Sequence, residues 1–170
     1  MAFITDGTNI TSFAEYSDVT AMDQRVFEAN EGLADEDLIN TYLTRSTGRV
    51  LTIIRNTDWW KSMYIDHTPG FSYSSVADIP ALNPTKVKAR QSDFTDLCVM
   101  YSLYYYILPK VADFSKEDNA ERAKIGFYQS KFEALLAEVV TAGDWYDFDG
   151  SGTISSSEKQ PGKYTLKRVR

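Results

Sequence analysis

The hydrophobic positions recur mostly at three- and four-residue spacing, which predicts a mainly helical chain. Residues 1–16 break the pattern. Gly7, Thr8, Asn9, Thr11 and Ser12 separate isolated apolar residues and read as an arm or a short strand. From Ser17 the spacing turns helical, with Ser17 or Asp18 as the cap, Val19, Met22 and Val26 on one face, and Gly32 as the stop. A second helix starts near Asp35, whose carboxylate suits early backbone N–H groups, and Glu36 and Asp37 favour its first turn. Leu38, Ile39, Tyr42, Leu43, Val50, Leu51, Ile53 and Ile54 mark its buried face despite Gly48. Asp58 begins a short turn carrying Trp59 and Trp60.

Residues 66–84 hold Pro69, Gly70, Pro80 and Pro84 with Phe71, Tyr73, Val76 and Ile79 between them, a long excursion of loop or short strands. Asn83-Pro84 or Ser92 opens a third helix lined by Phe94, Leu97, Cys98, Tyr101, Tyr104, Tyr105 and Leu108, and Pro109 ends it. Ser115 and Asp118 resemble a capping box for a fourth helix carrying Ile125, Tyr128, Phe132, Leu135 and Val139, with Gly143 as its C′ residue. Trp145–Phe148 and Tyr164–Val169 suggest hairpin-like strands around a glycine-rich turn. The expectation is a bundle of about four helices with a long middle excursion and a short C-terminal β-hairpin-like element. Residues 1–143 would form the helical domain with its N-terminal arm. Residues 144–170 would form a C-terminal turn, β element and basic tail.

Composition narrows the function classes. The 170 residues are 43% hydrophobic and 25% charged, which fits a globular chain with its own core. One cysteine excludes an internal disulfide or multi-cysteine zinc site, and one histidine excludes histidine-rich metal centres. No apolar run is long enough for a membrane span. The first residues lack a signal peptide's basic and apolar regions, so synthesis and use in a cytoplasm are expected. The net charge of −6 is unevenly spread. Lys159, Lys163, Lys167, Arg168 and Arg170 stand in a C-terminal stretch without an acid. A basic end on an acidic body docks on something acidic, stays solvated, or folds back on its own chain.

One short motif carries chemistry. Residues 147–158 fit a twelve-residue EF-hand loop. Asp147, Asp149 and Ser151 offer oxygens at loop positions 1, 3 and 5, Gly152 takes the sharp turn at 6, and the Thr153 carbonyl serves 7. Ser155 acts at 9, and Glu158 closes the site at 12. Alternate oxygens wrapped around a hard cation point to one calcium ion. The flanks differ from a two-helix hand, because Gly143 interrupts the incoming helix and Pro161-Gly162 blocks an exiting one. Three carboxylates and no second loop imply moderate or weak affinity and no calmodulin-like switching. The competing reading is an Asp/Gly/Ser turn without metal.

The run Tyr104-Tyr105-Tyr106 lies on a helix apolar on nearly every side, so some of Trp59, Trp60, Tyr104 and Tyr105 are expected to face a partner. Cys98 reads as a core residue and His67 as a loop histidine. No phosphate loop, dinucleotide fingerprint, HExxH or GxSxG is present.

The order of features resembles the head-to-tail connector family of tailed bacteriophages, also called head-tail adaptors or neck proteins. The phrases that carry it are Phe13–Asp18, Val26–Leu33, the helix from Asp37 to Arg55 ending in Asp58-Trp59-Trp60, then Ala89–Leu97, Asp118–Glu121, and Ala142–Asp149 leading into the basic end. The resemblance implies a mainly helical, non-enzymatic subunit of a typically dodecameric ring under the portal. Such a ring extends the DNA channel, without sequence-specific DNA binding, and docks the tail or the next neck protein. It implies assembly in the host cytoplasm and a place in the neck of the virion. Lys163, Lys167, Arg168 and Arg170 would then dock on the portal protein. A small calcium-binding regulatory or interaction module is the alternative. A hydrolase is disfavoured, because the three carboxylates are consumed as loop ligands and leave no evident base.

Overall fold

The computed structural model describes residues 3–6, 8–30, 32, 35–68, 70, 75, 78–116 and 119–159. Among these residues the chain is mainly α-helical, with one two-stranded antiparallel sheet. That sheet is N-terminal: β1 (Ile4–Asp6) pairs with β2 (Asn9–Ser12), and the register shifts between Ile4 and Thr5. The strands expected over 164–169 lie outside the described residues. Trp145–Phe148 contributes a single antiparallel bridge, Tyr146 to Val87, rather than a strand.

The first predicted helix divides in two. In α1 (Tyr16–Met22) the cap is Glu15, and Asp18 returns a bond to the Glu15 N–H at 2.9 Å from the third helical position. In α2 (Gln24–Ala29) the chain restarts after Asp23, whose φ of −146° is not helical. Asp23 is buried because it works across the fold: its carboxylate accepts from Lys124 at 2.7 Å and from the Tyr128 hydroxyl at 3.0 Å. The second predicted helix is α3 (Glu36–Arg55), capped by Asp35 accepting from the Leu38 N–H. The glycine in its middle, Gly48, is exposed, and the helix runs through it unbroken. The turn expected at Asp58 is a helix of ten residues, α4 (Asp58–His67), because Thr57 caps it and Trp59, Trp60 and Met63 supply a buried face. His67 is therefore the end of a helix and not a loop residue.

Of the excursion, Pro69, Phe71, Tyr73 and Val76 lie outside the described residues. Its end is pinned: the Ile79 carbonyl accepts from Arg55 Nε at 2.8 Å and the Pro80 carbonyl from Trp60 Nε1 at 3.2 Å. Asn83 caps only a single 3-10 turn, Pro84–Lys86, and the long helix α5 (Gln91–Ser102) starts later, after Arg90 in the left-handed region. Pro109 does not end the helical path. A π-helical segment, Leu103–Ile107, follows α5, and α6 (Leu108–Val111) continues through Pro109. Proline lacks an N–H, and its ring would meet the carbonyl four residues back; the widened turn accommodates both. The final helix, α7 (Ala120–Ala142), is capped by Asn119 rather than Ser115, and Gly143 closes it at φ 58°. Asp118, proposed partner of Ser115, lies outside the described residues.

The core centres on α5, which packs against α1, α3 and α7. Leu43, Val50 and Ile54 of α3 and Phe94, Leu97 and Cys98 of α5 are fully buried. Each such large side chain contributes about 1.5–3 kcal/mol on leaving water. The buried serines and threonines of this seam are hydrogen-bonded. Ser46 and Ser102 share a hydrogen bond at 2.7 Å, while the Thr47 hydroxyl accepts from the Phe13 N–H and the Thr95 hydroxyl donates to its carbonyl. Phe13, the residue after β2, is thus held between the two helices. Trp145 and Tyr146 are buried in the same core, which continues across the boundary expected at residue 143.

Candidate metal centre

An aromatic anchor positions the loop at 147–158. Beyond Gly143, Trp145 inserts between Trp59 and Phe94, with ring centroids 4.9 and 4.8 Å away. Its indole N–H donates to the Val139 carbonyl at 2.9 Å. Backbone bonds then tie the strand-like step to the 83–89 segment: Lys88 N–H to the Trp145 carbonyl at 3.0 Å, and Asp147 N–H to the Lys86 carbonyl at 2.9 Å. Phe148, at loop position 2, is held between Trp60 and His67, whose rings stack on it at 5.5 and 4.5 Å. Lys86 Nζ donates to the Phe148 carbonyl at 2.8 Å. Neither Lys86 nor His67 was singled out for this site from the sequence, since both lie far from the loop along the chain.

The three predicted carboxylates converge. One oxygen from each of Asp147, Asp149 and Glu158 lies within 4.8 Å of the others. Ligands facing each other across a calcium ion stand about 5 Å apart, so the spacing fits such an ion. Asp147 and Glu158 are each only 1% exposed, and Asp149 is exposed. Gly150 and Gly152 hold φ of 77° and 87°, which lets the chain double back at loop positions 4 and 6.

Protein donors already engage the carboxylates. Asp147 Oδ1 accepts from the N–H groups of Gly150 and Ser151, and its Oδ2 from Gly152 at 2.8 Å. Glu158 Oε1 accepts from Phe148 and Asp149 at 2.6 and 3.0 Å, and its Oε2 from the Ser155 N–H and hydroxyl, both at 2.8 Å. The Ser151 hydroxyl donates to the Thr153 carbonyl. Burial opposes the charged form of Glu158, but the donors from Ser155, Asp149 and Phe148 outweigh it and hold its pKa below the ordinary carboxylate value. The Ser151 N–H chiefly, with its side chain, does the same for Asp149. The loop thus closes on its own hydrogen bonds, and a cation arriving at Glu158 would compete with backbone N–H groups. Ile154, at loop position 8, is half-buried.

The predicted interface residues fall into three groups. Trp59 and Trp60 are buried inside the fold, covered by Trp145, Tyr146 and Phe148, and offer little surface to a partner. Tyr104 is half-buried and Tyr105 is 56% exposed. Lys163, Lys167, Arg168 and Arg170 lie outside the described residues. Among the described residues, no helix is long and apolar enough to cross a membrane. No protein family, curated protein or solved structure matches the chain.

Proposed function

We propose that the chain is a structural virion protein of a tailed bacteriophage: a head-to-tail connector subunit that rings the DNA channel below the portal and offers the tail or next neck protein a docking surface. In this reading α3, α4, α5 and α7 form the adaptor's bundle of about four helices, and a dodecameric ring assembled in the host cytoplasm ends in the virion neck. The order of sequence features supports it. The observation that carries it is the tyrosine run 104–106, whose rings pack on one another while Tyr105 stays 56% exposed. Tyrosine so placed suits protein contact better than solvent. An acidic body suits DNA passage, since a basic lumen would retain phosphates.

The test is to mix the purified chain with portal rings of the same phage and examine the mixture by sedimentation and negative-stain imaging. A ring on one end of the portal is expected, with binding lost when residues 163–170 are deleted. A chain that neither binds the portal nor occurs in mature particles would overturn the reading.

The convergence of Asp147, Asp149 and Glu158 favours a second reading, a small calcium-binding interaction module. A connector can also hold calcium in this loop, where the ion would stiffen the turn ahead of the basic tail. Sedimentation with and without calcium separates the two readings, since the module would be a monomer whose shape responds to the ion.

A further inference from the structure

Two faces of this chain carry unpaired charge of opposite sign. The first is built by α3 and the π-helical segment. Arg45 and Arg49, one turn apart on the exposed side of α3, form no ion pair among the described residues. Arg49 lies against the Tyr101 hydroxyl, whose hydrogen bond is the main cause of its raised pKa. Tyr105 stacks on Tyr101 at 5.2 Å, and Tyr106 stacks on Tyr42 at 5.3 Å with the ring planes 6° apart. Lys110 covers the outer edge, its ammonium 4.9 Å from the Tyr42 centroid and donating to the Tyr42 hydroxyl. A π-helical stretch is rare and recurs at functional sites; here it fans three consecutive tyrosines beside three cations in a chain whose net charge is −6.

The second face is the groove between α1 and α5, a hollow of about 290 Å³ lined by Asp18, Ala21, Met22, Ser92, Thr95 and Asp96. No cation lines it. Asp96 is exposed and has no ion pair among the described residues, and burial first, then the charges of Asp93 and Asp18, raise its pKa. Asp93 is already engaged by Arg90 at 3.2 Å. Asp96 precedes Tyr105 by nine residues, about 13 Å along a helix axis, so the two faces are separate surfaces of one molecule.

We infer that the tyrosine–arginine face of one copy docks into the acidic α1–α5 groove of the next, with Arg45 and Arg49 against Asp18 and Asp96 and the exposed Tyr105 ring against Ala21 and Met22. Charge complementarity selects this occupant: the first face needs an acidic surface, and every further copy carries one beside apolar side chains. Because the two surfaces differ, the contact is heterologous, and its repetition gives a ring or a filament. It deepens the connector reading by naming the subunit contact and rests on that reading only for closure into a ring.

Sedimentation velocity of the full chain at low and high salt tests the contact. The wild type is expected to associate with rising concentration, less so in high salt. Arg45→Glu with Arg49→Glu, and separately Asp96→Lys, should each raise the apparent dissociation constant about tenfold or more. Asp96→Lys spares Asp18, which closes the α1 cap, and circular dichroism verifies that each variant folds. Mixing the two variants is decisive, because one keeps the groove, the other keeps the tyrosine–arginine face, and the two reversed surfaces are again opposite in charge; association restored in the mixture is expected. A wild type that stays monomeric overturns the contact, as does association unchanged in both variants. The same holds for a monomer that binds a DNA oligonucleotide through Arg45 and Arg49, which would give that face to nucleic acid. If the contact holds but portal rings are not bound, the connector reading fails and the contact stands.

Discussion

Glu158 carries more of the loop than its place at the end of a motif suggests. Its two oxygens receive three backbone N–H groups and one hydroxyl while it is 1% exposed. Removing a buried acceptor strands its donors, so Glu158→Ala should cost about 2–4 kcal/mol in urea denaturation with chelator present, and Glu158→Gln less. The same bonds set a pH dependence. The folded pKa lies below the ordinary value of 4.5, so the stabilisation is complete above that value and is lost as pH falls through the lower, folded pKa. Metal-free melts should therefore hold steady from neutrality down to about pH 5 and decline below it, with a shallower acid limb in Glu158→Gln. Cys98 tests the opposite case. Burial pushes its thiol up to about 12, and its sulfur lies between Thr47 and the Leu43 carbonyl. A thiol reagent at neutral pH should label it at the rate of global unfolding and no faster.

Among the elements, the junction of α1 and α2 shows a helix break put to use. A continuous helix over residues 16–29 is what apolar spacing favours, yet Asp23 steps out of helical geometry and turns its carboxylate to Lys124 and Tyr128 of α7. Losing it would leave the Tyr128 hydroxyl and a partly buried ammonium without their acceptor. Asp23→Ala should destabilise the protein by about 2–3 kcal/mol, whereas Lys124→Ala alone should cost the fold less if the tyrosine bond survives. A double-mutant cycle with Tyr128→Phe measures how much of that is shared. The π-helical segment is a second such case. A tyrosine-rich α-helix meeting Pro109 has either to stop or to widen, and widening lets the path continue into α6 with Leu103, Ile107 and Leu108 buried.

Across the whole molecule, one core joins the N-terminal sheet, the helices and the start of the loop, so ion binding at 147–158 should be felt as global stability. A ligand bound only by the folded state adds about 2.7 kcal/mol at a hundredfold excess over its dissociation constant. Thermal melts in millimolar calcium should shift upward if the loop takes the ion, and Asp149→Asn, which alters the one exposed carboxylate of the three, should abolish the shift. Equal melting temperatures with and without calcium would leave the loop as a hydrogen-bonded turn. How much of this was legible beforehand follows from the range of the forces involved. The stretch 36–55, the closing glycine at 143 and the convergence of Asp147, Asp149 and Glu158 were readable, because capping, helical spacing and tight turns act between residues close along the chain. Burial of Trp59 and Trp60 was not readable, because Trp145 and Phe148 cover them from the far end of the sequence. Nor was the break at Asp23, whose partners belong to the last helix, or the pairing of Ser46 with Ser102. Short-range chemistry writes its pattern into neighbouring letters, whereas which side of an aromatic ring meets water depends on segments that become neighbours only after the chain has folded.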